Sequence, residues 1–127
     1  MIHVYFIRHG QTQWNLERRL QGRTDIPLNE AWRQQINAYQ LPSNLVSLQW
    51  FHSPLLRAQQ TAELLCVDAL AEMALIEMSW GEWEGKTLPQ LSAQDPSYFA
   101  KQEALGLDLC PQNGESPRLV AARVSTW

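Results

Sequence analysis

Ile2-His3-Val4-Tyr5-Phe6-Ile7-Arg8-His9-Gly10-Gln11-Thr12 is the stretch on which the reading of this chain turns. An apolar run rich in β-formers that stops at a charged pair and a glycine predicts a buried parallel strand. Its carboxyl end, the edge at which open α/β sheets bind ligands, would carry Arg8 and His9. Gly10 lets the backbone turn sharply or approach a ligand, and Gln11-Thr12 lead into a polar loop. Taken alone, Arg8-His9-Gly10 reads equally well as a strand end whose histidine is merely hydrogen-bonded.

Beyond the motif, Gln13 to Gly22 predicts a short helix with Trp14, Leu16 and Leu20 available for packing and Gly22 as its stop. Asn15 is placed either to meet a ligand oxygen or to make a local backbone bond. Arg23 to Pro27 is turn-like, and Asn29 predicts the N-cap of a helix running to Tyr39 with Leu28, Trp32, Ile36 and Tyr39 on its core face. Pro42-Ser43-Asn44 precedes a second predicted strand, Leu45 to Phe51. Ser53-Pro54 then predicts a capped helix with proline in its first turn, burying Leu55, Ala58, Ala62 and Leu65. Arg57 falls in the first turn of that helix, off the apolar stripe. A cation there opposes the helix dipole unless an anion is bound, which favours phosphate over a solvated surface arginine.

A third strand is predicted around Val67 to Ala71. The segment Glu77-Met78-Ser79-Trp80-Gly81-Glu82-Trp83-Glu84-Gly85 follows, in which a carboxylate walled by tryptophan suits a general acid. Residue types alone do not choose among Glu77, Glu82 and Glu84, and Trp80 and Trp83 also read as core. Asp95-Pro96 opens a helix holding Tyr98 and Phe99, which Leu105-Gly106 closes. Pro111 to Gly114 is a loop, and Ser116-Pro117 starts a last helix with Leu119, Val120, Val124 and Trp127 at helical spacing. That helix reaches Trp127 without a C-cap and reads as interrupted.

Composition bounds the function. The chain has 127 residues, 45% hydrophobic content and a net charge of −3, enough for one domain with a core and without a general nucleic-acid footprint. Eight of the ten basic residues are arginine, suited to bidentate phosphate recognition. No apolar run approaches the roughly 18 residues of a membrane span, so a soluble, cytoplasmic protein is expected. Cys66 and Cys110 lack metal-ligand spacing and read as reduced thiols. His3 lies about 17 Å of extended chain from Arg8, and His52, near a strand end, has no catalytic partner in its own pattern.

Three separated motifs together resemble the histidine phosphatase superfamily, the phosphoglycerate mutase-like enzymes. They are Arg8-His9-Gly10-Gln11-Thr12 with Asn15, the Ser53-Pro54-Leu55-Leu56-Arg57-Ala58-Gln59-Gln60-Thr61-Ala62 helix start, and Glu77 before Trp80-Gly81-Glu82-Trp83-Glu84-Gly85. Gly114-Glu115-Ser116 is similar to the family's later helix start. The resemblance implies a three-layer α/β/α fold around a mostly parallel sheet and a mechanism through a phosphohistidine. His9 would be the nucleophile, Arg8 and Arg57 the clamp on the phosphoryl oxygens, and Glu77 the general acid. Asn15, Gln21 and Gly22 would contact substrate. No metal or other cofactor is implied, and the partner is a small phosphorylated metabolite rather than nucleic acid or membrane.

The tryptophan-flanked acidic segment resembles the phosphatase branch, which favours monoester hydrolysis over mutase transfer. The family's second histidine, followed by glycine at the end of a later core strand, has no match, since neither His3 nor His52 stands at that position. Residues 1–127 are therefore expected to be the front portion of one domain, weakly active or inactive, with a non-catalytic phosphate-binding or assembly module as the alternative. An open sheet edge and an uncovered apolar face predict a chain that oligomerises or folds with a partner segment. Trp32 stands where the family usually has glycine, at a place expected to be remote from the motif.

Overall fold

Regular structure begins where Thr12 and Asn15 cap each other. In the computed structural model, which describes residues 1–127 apart from the side chain of Asn37, Thr12 Oγ1 accepts the Asn15 N–H at 3.2 Å. Asn15 Oδ1 accepts the Thr12 N–H at 2.9 Å, closing a capping box that opens helix α1 (Gln13–Leu16). Asn29 does cap the next helix, α2 (Glu30–Gln35), by accepting the Trp32 N–H at 2.7 Å, and a 3-10 turn at Ile36–Ala38 follows it.

Helix α3 (Ser43–Val46) leads to strand β1 (Trp50–His52), helix α4 (Leu56–Leu64) and strand β2 (Ala69–Ala71). The two strands pair in parallel with Phe51 opposite Leu70, α4 forming the crossover, so the architecture is α/β. The Glu72 N–H carries the ladder on to His52 O at 2.9 Å. Three proline-bearing helix starts complete the chain: α5 (Leu88–Gln94) behind a Thr87/Gln90 capping box, α6 (Pro96–Ala104) capped by Asp95, and α7 (Pro117–Ser125) capped by Ser116. Leu28, Ile36, Leu55, Met78, Trp83 and Leu91 are the buried apolar residues.

Several expectations are corrected. Ile2 to Ile7 is not a buried strand: it has no ladder partner among the described residues, and Ile2 and Phe6 are each 90% exposed. The β-branched and aromatic side chains there carry propensity, but a strand is held by neighbours, and the β1–β2 ladder does not extend to this segment. Leu45 and Val46 belong to α3 rather than to a strand, which begins only at Trp50. Tyr39 is exposed, because the chain leaves the helical path at the 3-10 turn before it.

Helix α4 also starts later than predicted, with Leu55 and not Ser53 at its N-cap. Its first free N–H, that of Leu56, goes instead to Asp25 Oδ1 at 2.7 Å, across 31 residues of sequence. The helix buries Arg57 and Thr61, while Ala58, Ala62 and Leu65 are only half-buried. A polar stripe thus replaces part of the apolar one.

Trp32 is not remote from the motif. A Cβ built on Gly10 would stand 2.3 Å from Trp32 Cε3, so the indole lies directly on the glycine. Helix α2 delivers it there because its cap is tied to the motif: the Asn29 N–H donates to Gln11 O at 2.8 Å and Asn29 Nδ2 to Gln11 Oε1 at 3.0 Å. Gly10→Ala should therefore cost about 1–3 kcal/mol through overpacking. Urea denaturation of Gly10→Ala alone and in a Trp32→Ala background checks this, with the Gly10→Ala penalty largely gone when the indole is absent.

Candidate active site

His9 directly precedes a peptide unit held from three directions. The Gly10 N–H donates to the buried Thr61 Oγ1 at 2.9 Å, Thr61 Oγ1 donates to Arg57 O at 2.7 Å, and the Trp32 ring covers the glycine. The Gly10 carbonyl lies 2.7 Å from His9 Nδ1. A carbonyl only accepts, so the ring hydrogen belongs on Nδ1 and the lone pair on Nε2. Burial lowers the His9 pKa from the ordinary histidine value. The Gly10 carbonyl works against that fall, the guanidiniums of Arg57 and Arg8 add to it, and the Glu77 carboxylate opposes it. At neutral pH this ring is neutral and carries a free nitrogen.

Arg57 is 2% exposed, yet no carboxylate pairs with it among the described residues. Its Nη2 donates to Gly22 O at 2.8 Å and its Nη1 to Thr24 O at 3.3 Å. Desolvation lowers its pKa, and the charges of Glu77, Asp25 and Glu84 pull the other way. Neutral carbonyls satisfy hydrogen bonds without cancelling the charge.

Glu77 supplies the nearby acidic group. It is exposed, its Oε1 accepts the Met78 N–H at 2.9 Å, and its charge acts on both His9 and Arg57. Arg8 is exposed and acts on His9 through its charge. Arg8, His9, Arg57 and Glu77 are thus electrostatic neighbours, although the sequence separates them by up to 69 positions (77 − 8).

The acceptor oxygens of the residues expected to contact substrate serve the loop. Asn15 Oδ1 serves the capping box, Gln21 Oε1 accepts from Thr12 Oγ1 at 2.6 Å, and Gly22 offers its carbonyl to Arg57. Gly22 also has φ +53°, and a Cβ there would meet Glu84 Oε1 at 2.2 Å, so glycine is required twice over.

The structure separates the three carboxylates that composition left open. Glu84 is a scaffold: its carboxylate accepts the N–H groups of Arg23 at 3.0 Å, Thr24 at 2.9 Å and Trp80 at 3.1 Å, together with the Thr24 hydroxyl. Glu82 is exposed and accepts from Asn113 Nδ2 at 3.3 Å. Trp83 is core, stacked at 6.2 Å on Trp80 and touched by Tyr98 and Phe99. Thr61 stands within the helix-start motif, but a threonine one turn after an arginine carries no local signal for the glycine it serves, so its bond to Gly10 was not legible there. His52 turns its Nδ1 onto its own Ser53 carbonyl at 2.7 Å, and Cys66 and Cys110 are free thiols. No group of three or more His, Cys, Asp or Glu able to hold a metal occurs among the described residues. No helix there is long and apolar enough to cross a membrane.

Comparison with known proteins bears on this cluster. The family profile described as histidine phosphatase superfamily (branch 1) matches residues 4–127. A curated relative from Cronobacter sakazakii, named probable phosphoglycerate mutase GpmB, is 37% identical over 105 residues, covering 77% of this chain and 48% of that protein. The chain thus spans about half the length of that relative. Among solved structures, TTHB049 from Thermus thermophilus is 37% identical with a TM-score of 0.76, over 94% of this chain and 67% of its own. The alpha-ribazole phosphatase from Shigella flexneri is 27% identical with a TM-score of 0.80, over 94% and 62%.

The electrostatics make a measurable prediction. An NMR titration of His9 should give a midpoint below the ordinary histidine value, and inorganic phosphate should raise it, because an anion offsets the two guanidiniums. Arg57→Met should remove the response to phosphate. Between the ordinary value and the lower folded one the unfolded chain binds more protons, so stability should fall as pH falls through that window, and His9→Asn should flatten the slope.

Proposed function

We propose that this chain, which belongs to the histidine phosphatase superfamily, hydrolyses phosphomonoesters through a phosphohistidine on His9. The observation that carries the reading is the pairing of a buried guanidinium lacking a carboxylate partner with a neutral imidazole whose Nε2 is free.

His9 Nε2 attacks phosphorus as the ester P–O bond breaks, and Glu77 gives its proton to the departing alkoxide. The Glu77 carboxylate then takes a proton from water, whose oxygen attacks phosphorus as the N–P bond breaks, returning His9 neutral and releasing phosphate. Arg57 and Arg8 neutralise charge on the non-bridging oxygens, the main demand of phosphoryl transfer. The substrate class is a small phosphorylated metabolite. Water rather than a second hydroxyl is the acceptor in this reading, in keeping with the resemblance of the Trp80 to Trp83 segment to the phosphatase branch. A mutase would instead pass the phosphoryl group back to a bound alcohol.

The reading extends to rate. Of His3, His9 and His52, only His9 stands in this cluster, and one preorganised donor to the phosphoryl group is typically worth about 100- to 1,000-fold. The 127 residues alone should bind phosphate and turn ester over slowly.

Trapping tests the reading directly. Incubation with a radiolabelled phosphomonoester and alkaline quenching should leave label on His9 that survives base and is lost in acid, and His9→Ala should carry none. Label retained in His9→Ala removes His9 from the nucleophile's role, and label delivered to an added alcohol in preference to water favours the mutase. Glu77→Gln should slow hydrolysis of alkyl phosphates far more than of 4-nitrophenyl phosphate, whose leaving group needs no proton. Arg57→Ala should lower kcat/KM by about 100- to 1,000-fold on both.

A further inference from the structure

Glu115 stands 38 positions beyond Glu77 (115 − 77), ahead of the serine that caps α7. Only 14% of its side chain is exposed, and it holds two arginines at once. Arg123 Nε donates to Glu115 Oε1 at 3.0 Å and Arg123 Nη2 to Oε2 at 3.2 Å, while Arg23 Nη2 reaches Oε2 at 3.2 Å. Both guanidiniums then spend further donors on one short run of backbone. Arg123 donates to Ala74 O and Ile76 O, Arg23 Nε donates to Glu77 O at 3.1 Å, and the Glu115 N–H itself donates to Ser79 O at 2.9 Å.

Three carbonyls between residues 74 and 77 are therefore fixed by the two arginines that one carboxylate aligns, a fourth, that of Ser79, by the Glu115 backbone, and Glu77 lies among them. We propose that Glu115 is a positioning residue. By aligning Arg23 and Arg123 it clamps the segment that carries Glu77 and so sets where that carboxyl stands relative to His9. This deepens the functional reading and rests on Glu77 being the proton donor.

The arrangement suits that task better than generic stabilisation. Ion pairs this near the surface contribute little by themselves, but planar guanidinium forks impose direction, which lysine does not supply. Burial works to raise the Glu115 pKa, yet the Arg123 bond and charge, with Arg23 and the Ser79 backbone, outweigh it and lower the value. The ionised form of the hub is thus favoured by the same arginines it aligns. Glu77, unlike Glu115, is among the charges that act on His9, and the clamp reaches the Glu77 backbone directly.

A double-mutant cycle read on the His9 titration by NMR tests this without requiring turnover. Glu77→Gln should lower the His9 midpoint, because the carboxylate raises it. In a Glu115→Gln background that drop should shrink to less than half, and an equal drop in both backgrounds overturns the proposal. If Glu115→Gln does not fold, Arg23→Gln, which removes the more exposed partner, takes its place in the same cycle under the same criterion. Arg123→Lys should fail to restore the wild-type drop. Absence of phosphohistidine in the wild-type chain would remove the functional reading while leaving the cycle readable. Phosphohistidine formation with an unchanged cycle would remove Glu115 from the positioning role alone.

Discussion

A guanidinium taken out of water without a carboxylate beside it is the constraint on which this structure depends. Arg57 must find its hydrogen bonds in neutral carbonyls, and those carbonyls, Gly22 and Thr24, lie in a loop with no regular structure of its own. The loop is held because Glu84 gathers the N–H groups of Arg23 and Thr24 and ties them to that of Trp80. Glu84 thus keeps its charge near Arg57 without touching it, so the cation is steadied and still lacks a counter-ion.

The same helix turn links the cation to His9. Thr61, one turn after Arg57, donates to the Arg57 carbonyl and accepts the Gly10 N–H, while the Gly10 carbonyl orients the His9 ring. A single hydroxyl therefore connects helix α4 to the glycine whose carbonyl selects the His9 tautomer. Trp32 closes the remaining side of that glycine, an arrangement open only to glycine at position 10. Small displacements of α4 should register at His9, because the bonds through Thr61 are buried and directional.

The acidic side of the site is organised differently. Glu77 is exposed, and its geometry comes from backbone carbonyls clamped by two arginines around Glu115. Arg57 and the glycine beside His9 share a buried frame, while Glu77 stands on a surface strap. In the proposed roles, a proton donor that meets both a leaving group and water gains from that exposure, and a phosphate clamp gains from its absence.

Local chemistry was legible in the sequence. The caps at Asn29, Asp95 and Ser116 and the prolines in first turns follow from short-range rules, since a cap depends only on the few residues around it, while the grouping of Arg8, His9, Arg57 and Glu77 was suggested by motif resemblance alone. Tertiary structure decided the rest. Ile2 to Ile7 has the composition of a strand but no partner, and pairing is non-local. Ser53 lost its capping role to Asp25 from another segment, and Trp32, distant in sequence, came to rest on Gly10. Glu77, Glu82 and Glu84 share a composition and differ only in what faces them, which is set by residues as far away as Arg23 and Asn113. Propensity is a property of neighbours in sequence, whereas charge, burial and hydrogen-bond partners belong to neighbours in space, and the work of these carboxylates depends on the second.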